Sequence, residues 1–560
     1  MRASPILVVM LLAGPILFGL AGIFLPAFGV MPALGGYVPT LGHWDALFGQ
    51  PGLWRSVIVS LLSSLVTTTA SLGIVLLFLA GCTGTRLYGW VCGAVTPLLS
   101  VPHAAAALGL AFLIAPSGFL VRAISPWITG WDRPPDVLII QDPWGMAMMA
   151  GLVIKEIPFL LLMSLAALPQ INPASRLAVA RTLGYRPVTA WLKTVAPSLY
   201  PLIRLPVYAV IAYASSTVDV ALILGPTNPP TLSVAILQWF NSPDLSFRFV
   251  ASAGAVLQLM LTLTALALWR IGEAVVSLLG RWWLERGSRG HYDFGLAVAG
   301  GGGIVLAAGL AFLGLVGLAV NGVAGFWRFP NFLPDTITLS HWLKAAPSIA
   351  GPLSTSLIVG ALAMAISLAV VLAVLENEQR SGLRPGRGGM HIFYLPLIVP
   401  QAAFLFGLVM GTEIAGIRPG FWLVVFGHIV FVLPYVYLSL AEAYRLLDPR
   451  WAMIAATLGA SPDRIFLRVR LPMLLAPGLM AAAVGLAVSV GQYLPTLLLG
   501  AGRVQTVTTE ALALASGGDR RIIGVWALLQ TLLPAVGFII ALVVPRLFWS
   551  NRRAMRGVIR

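Results

Sequence analysis

Three ionisable residues stand where charge is costly. Lys155 and Glu156 are neighbours in the apolar run VIKEIPF, and Asp219 follows Ser215, Ser216 and Thr217 near the end of another apolar run. A charge at the centre of a bilayer-spanning helix costs roughly 2.5–3.5 kcal/mol on insertion scales, so such residues face a bundle interior or a water-filled path, or pair with one another. On a helix Lys155 and Glu156 point about 100° apart. Two readings stay open: charges along a solute pathway, with the first half supplying them, or an interhelical ion pair such as Lys155 with Asp219. Farther along, His428, Gln492 and Tyr493 are the polar residues of comparable apolar runs. His428 alone reads as a hydrogen-bonder inside a bundle rather than a metal ligand. No His/Asp/Glu cluster has metal spacing and no nucleophile stands beside a base. No G-x-x-x-x-G-K-[ST] occurs, the glycine run Gly300 to Gly303 lacking the lysine. No catalytic residue, metal or cofactor is expected.

The elements that must position these residues are read from composition. Of 560 residues 59% are hydrophobic and only 10% charged, against roughly 45–50% and roughly 25% in soluble chains. That excludes a soluble multidomain enzyme, a disordered chain and a disulfide scaffold. The apolar residues form blocks long enough to cross a bilayer. Twelve spans are expected, at about 5–28, 53–80, 91–115, 144–168, 204–226, 249–271, 296–320, 353–375, 392–412, 421–441, 476–499 and 522–546. Continuous apolar blocks of this length form helices, whereas barrel strands would be short and alternating. The first block exceeds a signal-peptide core of roughly 7–15 residues and reads as a retained span.

Net charge is +16. In a membrane chain this marks loops held on the cytoplasmic side rather than a nucleic-acid partner. The basic clusters include Arg176, Arg181, Arg186 and Lys193, then Arg380, Arg384 and Arg387, then Arg445, Arg450, Arg464, Arg468 and Arg470, then Arg546, Arg552, Arg553, Arg556 and Arg560. They place both termini in the cytoplasm. Cys82 and Cys92 lie near a short cytoplasmic loop, so neither a disulfide nor a metal site is expected.

The chain repeats itself. A shift of 275 residues lays Ala180, Thr182, Leu183 and Gly184 on Ala455, Thr457, Leu458 and Gly459, Pro187 on Pro462, and Pro197 on Pro472. Earlier in each half a shift of 298 lays Val101-Pro102 on Val399-Pro400 and Gly109-Leu110 on Gly407-Leu408. The long outer loop 116–143, against 413–420, accounts for the change of register. The expectation is an all-α integral membrane protein of about twelve transmembrane helices, arranged as two parallel six-helix repeats. Residues 1–271 and 296–560 would be the two domains, with 272–295 a polar cytoplasmic linker.

The best-matched segments are cytoplasmic loops, NPASRLAVARTLGYRPVTAWLKTVAPSLYP and DPRWAMIAATLGASPDRIFLRVRLPMLLAP. Each reads as helix, turn, helix. Asn172 or Asp448 caps a helix whose first residue is Pro. Gly184 or Gly459 ends it in the left-handed conformation. Ser461-Pro462-Asp463 starts a second helix, and Arg186-Pro187 does so with a poorer cap. The alternative is a basic amphipathic helix lying on membrane lipid.

At these residues the sequence resembles the permease subunits of binding-protein-dependent ABC importers, whose loop carries Glu-Ala-Ala, three residues, Gly, nine residues and Ile-x-Leu-Pro. The matching positions are Met453-Ile454-Ala455, Gly459 and Val469-Arg470-Leu471-Pro472, and Ala178-Val179-Ala180, Gly184 and Thr194-Val195-Ala196-Pro197. The whole chain is similar to fused double permeases of the ferric-iron and thiamine importer group, built from type I transmembrane domains. The resemblance implies loops that dock on two ATP-binding subunits through Ala180, Gly184, Arg186, Pro187, Pro197, Ala455, Gly459, Pro462, Arg464 and Pro472. It also implies an extracytoplasmic substrate-binding protein and a bacterial inner-membrane location. The motif glutamate is absent, Ala178 and Met453 standing there, so its charged contact does not carry over. Lys155, Glu156, Asp219, His428 and Gln492 are the expected pathway residues for a small polar solute. The rival expectation is an ion-coupled secondary transporter, which twelve spans in two parallel repeats also describe.

Overall fold

The computed structural model describes residues 4–290, 293–382 and 386–549. Arg384, Arg552, Arg553, Arg556 and Arg560 of the basic clusters lie outside the described residues. Among the described residues there are helices and three isolated β-bridges, and no strand.

Among the described residues, eleven helices of each half correspond in the same order. The first half holds α1 (Ser4–Ala27), α2 (Leu53–Cys82), α3 (Arg86–Ser100), α4 (His103–Ile114), α5 (Met146–Ala167), α6 (Pro173–Thr182), α7 (Pro187–Thr194), α8 (Ala196–Ser216), α9 (Asp219–Leu224), α10 (Leu232–Phe240) and α11 (Phe247–Glu285). The second holds α12 (Asp293–Val323), α13 (Ser340–Ser381), α14 (Arg387–Ile398), α15 (Gln401–Ile414), α16 (Phe421–Arg445), α17 (Pro449–Thr457), α18 (Pro462–Ile465), α19 (Leu475–Gly491), α20 (Leu494–Gly500), α21 (Val507–Ala515) and α22 (Arg520–Phe548). Among the described residues nine helices are long and apolar enough to cross a bilayer, and twelve if each sharply bent pair is one span.

Four of the expected spans are not continuous helices. Two break at Val101-Pro102 and Val399-Pro400, where the residue before proline is driven out of the helical region to ψ 123° and 124°. At the α14–α15 break the chain bends by 89°. The other two break at Thr217-Val218 and Gln492-Tyr493, where Thr217 and Gln492 take ψ 136° and 104°. The breaks are repeat-related, 298 or 275 residues apart.

The first helix of each half reaches across to the other. Helix α1 packs on α11 of its own half and on α15 of the second, and α12 packs on α22 of its own half and on α2 and α4 of the first. Glycine makes both crossings. Gly19 and Gly22 of α1 lie against the backbone of Phe404 and Gly407, and Gly314 of α12 lies against Gly109. Small residues let apolar helices approach to backbone contact where hydrophobic burial gives no drive. The two halves of the sequence are therefore interleaved in space.

The joint is more ordered than its polar composition implied. Helix α11 continues through Glu285, so roughly half of the expected linker is helical. The remainder is stitched onto α7. Asp293 Oδ2 accepts the amide protons of Val188 (2.8 Å) and Thr189 (3.2 Å), and Oδ1 accepts the Thr189 hydroxyl (2.7 Å). Lys193 Nζ donates back to the carbonyls of Trp283 (3.0 Å) and Ser288 (2.9 Å). Gly290 turns the chain at φ +96°, and a Cβ there would meet Thr189 Oγ1 at 2.3 Å. The poor local cap at Arg186 is thus supplied from about a hundred residues away. Asp293→Ala is expected to cost about 1–2 kcal/mol and to speed amide hydrogen exchange across 187–194 while 462–470 keeps its protection. Equal acceleration of both segments would show that the contact is not a local clamp.

Candidate functional site

The four helix breaks converge on a cavity of about 200 Å³ between the halves. Lys155, Glu156, Asp219 and Gln492 line it together, whereas His428 does not. The His428 ring is buried behind the wall, Nδ1 2.7 Å from Ser489 Oγ and Nε2 2.9 Å from Thr496 Oγ1, because both hydroxyls lie on the helices packed against α16.

The charges share the cavity lining, but Lys155 and Asp219 each have other partners. Lys155 Nζ donates to the carbonyl of Val101 (2.6 Å), and lies 3.3 Å and 3.4 Å from those of Leu98 and Leu99. These are carbonyls that the end of α3 leaves without helical partners, so the ammonium caps a helix C-terminus. Asp219 accepts the Thr217 hydroxyl at 2.8 Å and the Tyr213 hydroxyl at 3.3 Å. A Lys155–Asp219 ion pair is not formed. Glu156 Oε1 lies 3.4 Å from His103 Nε2. His103, Tyr213, Gln401 and Tyr435 also line the cavity, and sequence reasoning missed them. A signal existed for two of these: His103 follows Pro102 and Gln401 follows Pro400, in register, at a break.

Away from the cavity, the paired loops fold as two elbows. Gly184 and Gly459 take φ +81° and +80°, the left-handed conformation that ends α6 and α17. The caps differ from expectation at one position. Asp448 accepts the Arg450 amide at 2.9 Å and Ser461 that of Arg464 at 3.3 Å, but Asn172 is itself left-handed and caps nothing with its side chain. Arg186, Pro187, Pro197, Pro462 and Arg464 are exposed, Ala455 and Pro472 half-buried, and Ala180 buried. The second elbow is tighter: α18 has four residues and passes into a π-helical turn over Phe466–Arg470.

Each elbow leaves an apolar pair in the open. Val179 is 61% and Leu183 59% exposed; at the repeat-related positions Ile454 is 53% and Leu458 82% exposed. Spaced i, i+4, each pair occupies one helix face.

No protein-family profile matches the chain. It is, however, 32% identical to the inner membrane ABC transporter permease protein YnjC of Escherichia coli (strain K12) over 531 residues, 94% of either chain. This chain belongs to the ABC transporter permeases. Permeases of shorter length align with part of it. The putative 2-aminoethylphosphonate transport system permease protein PhnV of Salmonella typhimurium is 24% identical, covering 45% of this permease and 95% of its own chain. The molybdenum transport system permease protein ModB of Mycobacterium bovis is 34% identical over 26% of this permease and 57% of its own chain. A relative that fits whole into less than half the sequence agrees with the internal repeat, and the permease is a fused double permease. It is a multi-pass inner-membrane protein and a transporter component rather than an enzyme.

Proposed function

We propose that this permease imports a small polar solute, with two ATP-binding subunits docking on the elbows α6–α7 and α17–α18. Residues 1–271 and 296–560 each act as one permease domain, joined by 272–295 in the cytoplasm, where both termini also lie. An extracytoplasmic binding protein delivers the solute from the opposite face. Closure of the ATPases pushes the elbows, the halves rock, and the cavity at the four breaks opens to alternate sides. No nucleic acid takes part.

The observation that carries this reading is the twinned pair of exposed apolar residues, Val179 with Leu183 and Ile454 with Leu458. Exposed apolar residues at i and i+4 at the end of a short helix suit insertion into a groove of a partner. With Ala178 and Met453 in place of the motif glutamate, shape and the neighbouring Arg181, Arg186, Arg450 and Arg464 supply the contact. Leu183→Asp with Leu458→Asp is expected to abolish co-purification of the ATPase and lower ATP-driven uptake at least tenfold, with normal membrane insertion. Each single variant loses less. Full uptake by the double variant, or uptake by the reconstituted chain alone on an ion gradient, would defeat the proposal.

A further inference from the structure

The cavity has two unlike walls, and the difference follows the repeat. The 275-residue register sets Phe431 at the position of Glu156 and Leu494 at that of Asp219, and all four line the cavity. The first half therefore presents two carboxylates where the second presents a ring and an aliphatic chain. Tyr435 and Tyr493 add rings from the second half, beside Phe159 and Tyr213 of the first.

The one ammonium in the lining does not cancel this. Lys155 Nζ is turned to the carbonyls at the end of α3, with Val101 at 2.6 Å. Aside from the tyrosines, the ionisable groups of the lining are Lys155, His103, Glu156 and Asp219, and no arginine is among them. Two carboxylates stand against one ammonium, with the His103 ring beside Glu156. Carboxylates and aromatic rings lining one small cavity favour a positively charged group that carries apolar atoms. A hydrated metal ion would find rings where it needs oxygen ligands. An oxyanion would meet carboxylates without a guanidinium to offset them.

On the reading that this chain is an importer permease, we infer that the cavity is a selective site for a compact organic cation, with Glu156 and Asp219 holding its charge and Phe431, Tyr435 and Tyr493 covering its apolar part. The site is polarised between the halves, so a carboxylate loss and a ring loss act on different parts of one ligand.

The test uses the full chain with its ATPase subunits in lipid nanodiscs, titrated calorimetrically with choline as probe and with sodium, sulfate and glucose as comparators. Choline is expected to bind saturably. Glu156→Gln and Asp219→Asn should each weaken it about tenfold, and Tyr435→Leu, at a half-buried lining ring, about threefold, at unchanged melting temperature. Choline binding no tighter than glucose, preference for sulfate, or carboxamide variants that bind like the parent would each overturn the inference. ATPase retention is scored in the same preparation, which separates the two ideas. Loss of ATPase with choline binding intact removes the importer reading and keeps the cation site; retained ATPase without choline preference does the reverse.

Discussion

Replacing Glu376 by alanine is expected to destabilise the protein by about 3 kcal/mol or more and to slacken the second elbow. Glu376 is completely buried near the end of α13. Its Oε1 accepts Arg380 Nε at 2.6 Å, and its Oε2 accepts Arg470 Nη1 at 2.6 Å and the Tyr444 hydroxyl. Arg380 continues to Asp463 at 2.9 Å. One carboxylate thus ties α13, α16 and both ends of the segment 463–470 that follows α17. Removing it leaves Arg470, half-buried, and Arg380, exposed, without their shared counter-charge, which is costlier than never having had the pair. In the first half a carboxylate joins α8 to α11 instead. Glu273 accepts Tyr200 at 2.5 Å, Tyr208 at 3.1 Å and Arg270 at 2.5 Å. Its side chain keeps 11% exposure against 1% for Glu376. Glu273→Ala should therefore cost less, about 1–2 kcal/mol. The check is the thermal midpoint of each purified variant with ATPase retention beside it. Equal midpoints for Glu376→Ala and the parent would mean that the network is solvated and carries little.

What could be read beforehand was set by local chemistry. Helical spans follow from the length of apolar runs, and each expected run falls on helix. The elbows follow from Pro at a first helical position and Gly at a left-handed end, which are local demands on φ; Gly184 and Gly459 meet them. What escaped was set by partners distant in sequence. Lys155 was legible as a buried charge, but its partners are carbonyls freed by a break at Pro102, and the break itself was hidden inside an unbroken apolar run. Asn172 matched a capping residue by type, yet the chain enters α6 in a left-handed turn that points its side chain elsewhere. Asp293 looked like one charge in a polar linker, and nothing local says that it caps α7. The pairing of Gly109 with Gly407 was visible as a repeat, but its cause was not: each faces a glycine-bearing first helix from the other half.

That crossing sets the second large effect. Gly407→Ala is expected to be far more damaging than Gly109→Ala, although the two glycines are repeat-related. A Cβ on Gly407 would sit 1.8 Å from the carbonyl oxygen of Gly19 and 2.8 Å from the amide nitrogen of Ile23. Neither obstacle can rotate away, since both are helical backbone. A Cβ on Gly109 would lie 3.0 Å from the Gly314 carbonyl carbon, a tight contact that a small shift relieves. Overpacking typically costs 1–3 kcal/mol, and the upper end applies where only backbone can yield. Gly407→Ala should thus cost about 3 kcal/mol and Gly109→Ala about 1 kcal/mol. Helix α1 joins α11 of one half to α15 of the other, so prising it off loosens the halves as well as the fold. The expected readout is a lower thermal midpoint for Gly407→Ala, faster proteolysis after the C-terminal end of α1, and ATP-driven uptake reduced more than in Gly109→Ala. If Gly109→Ala proves equal or worse, close approach of α1 and α15 is not what holds the halves together, and the α12 crossing carries that role instead.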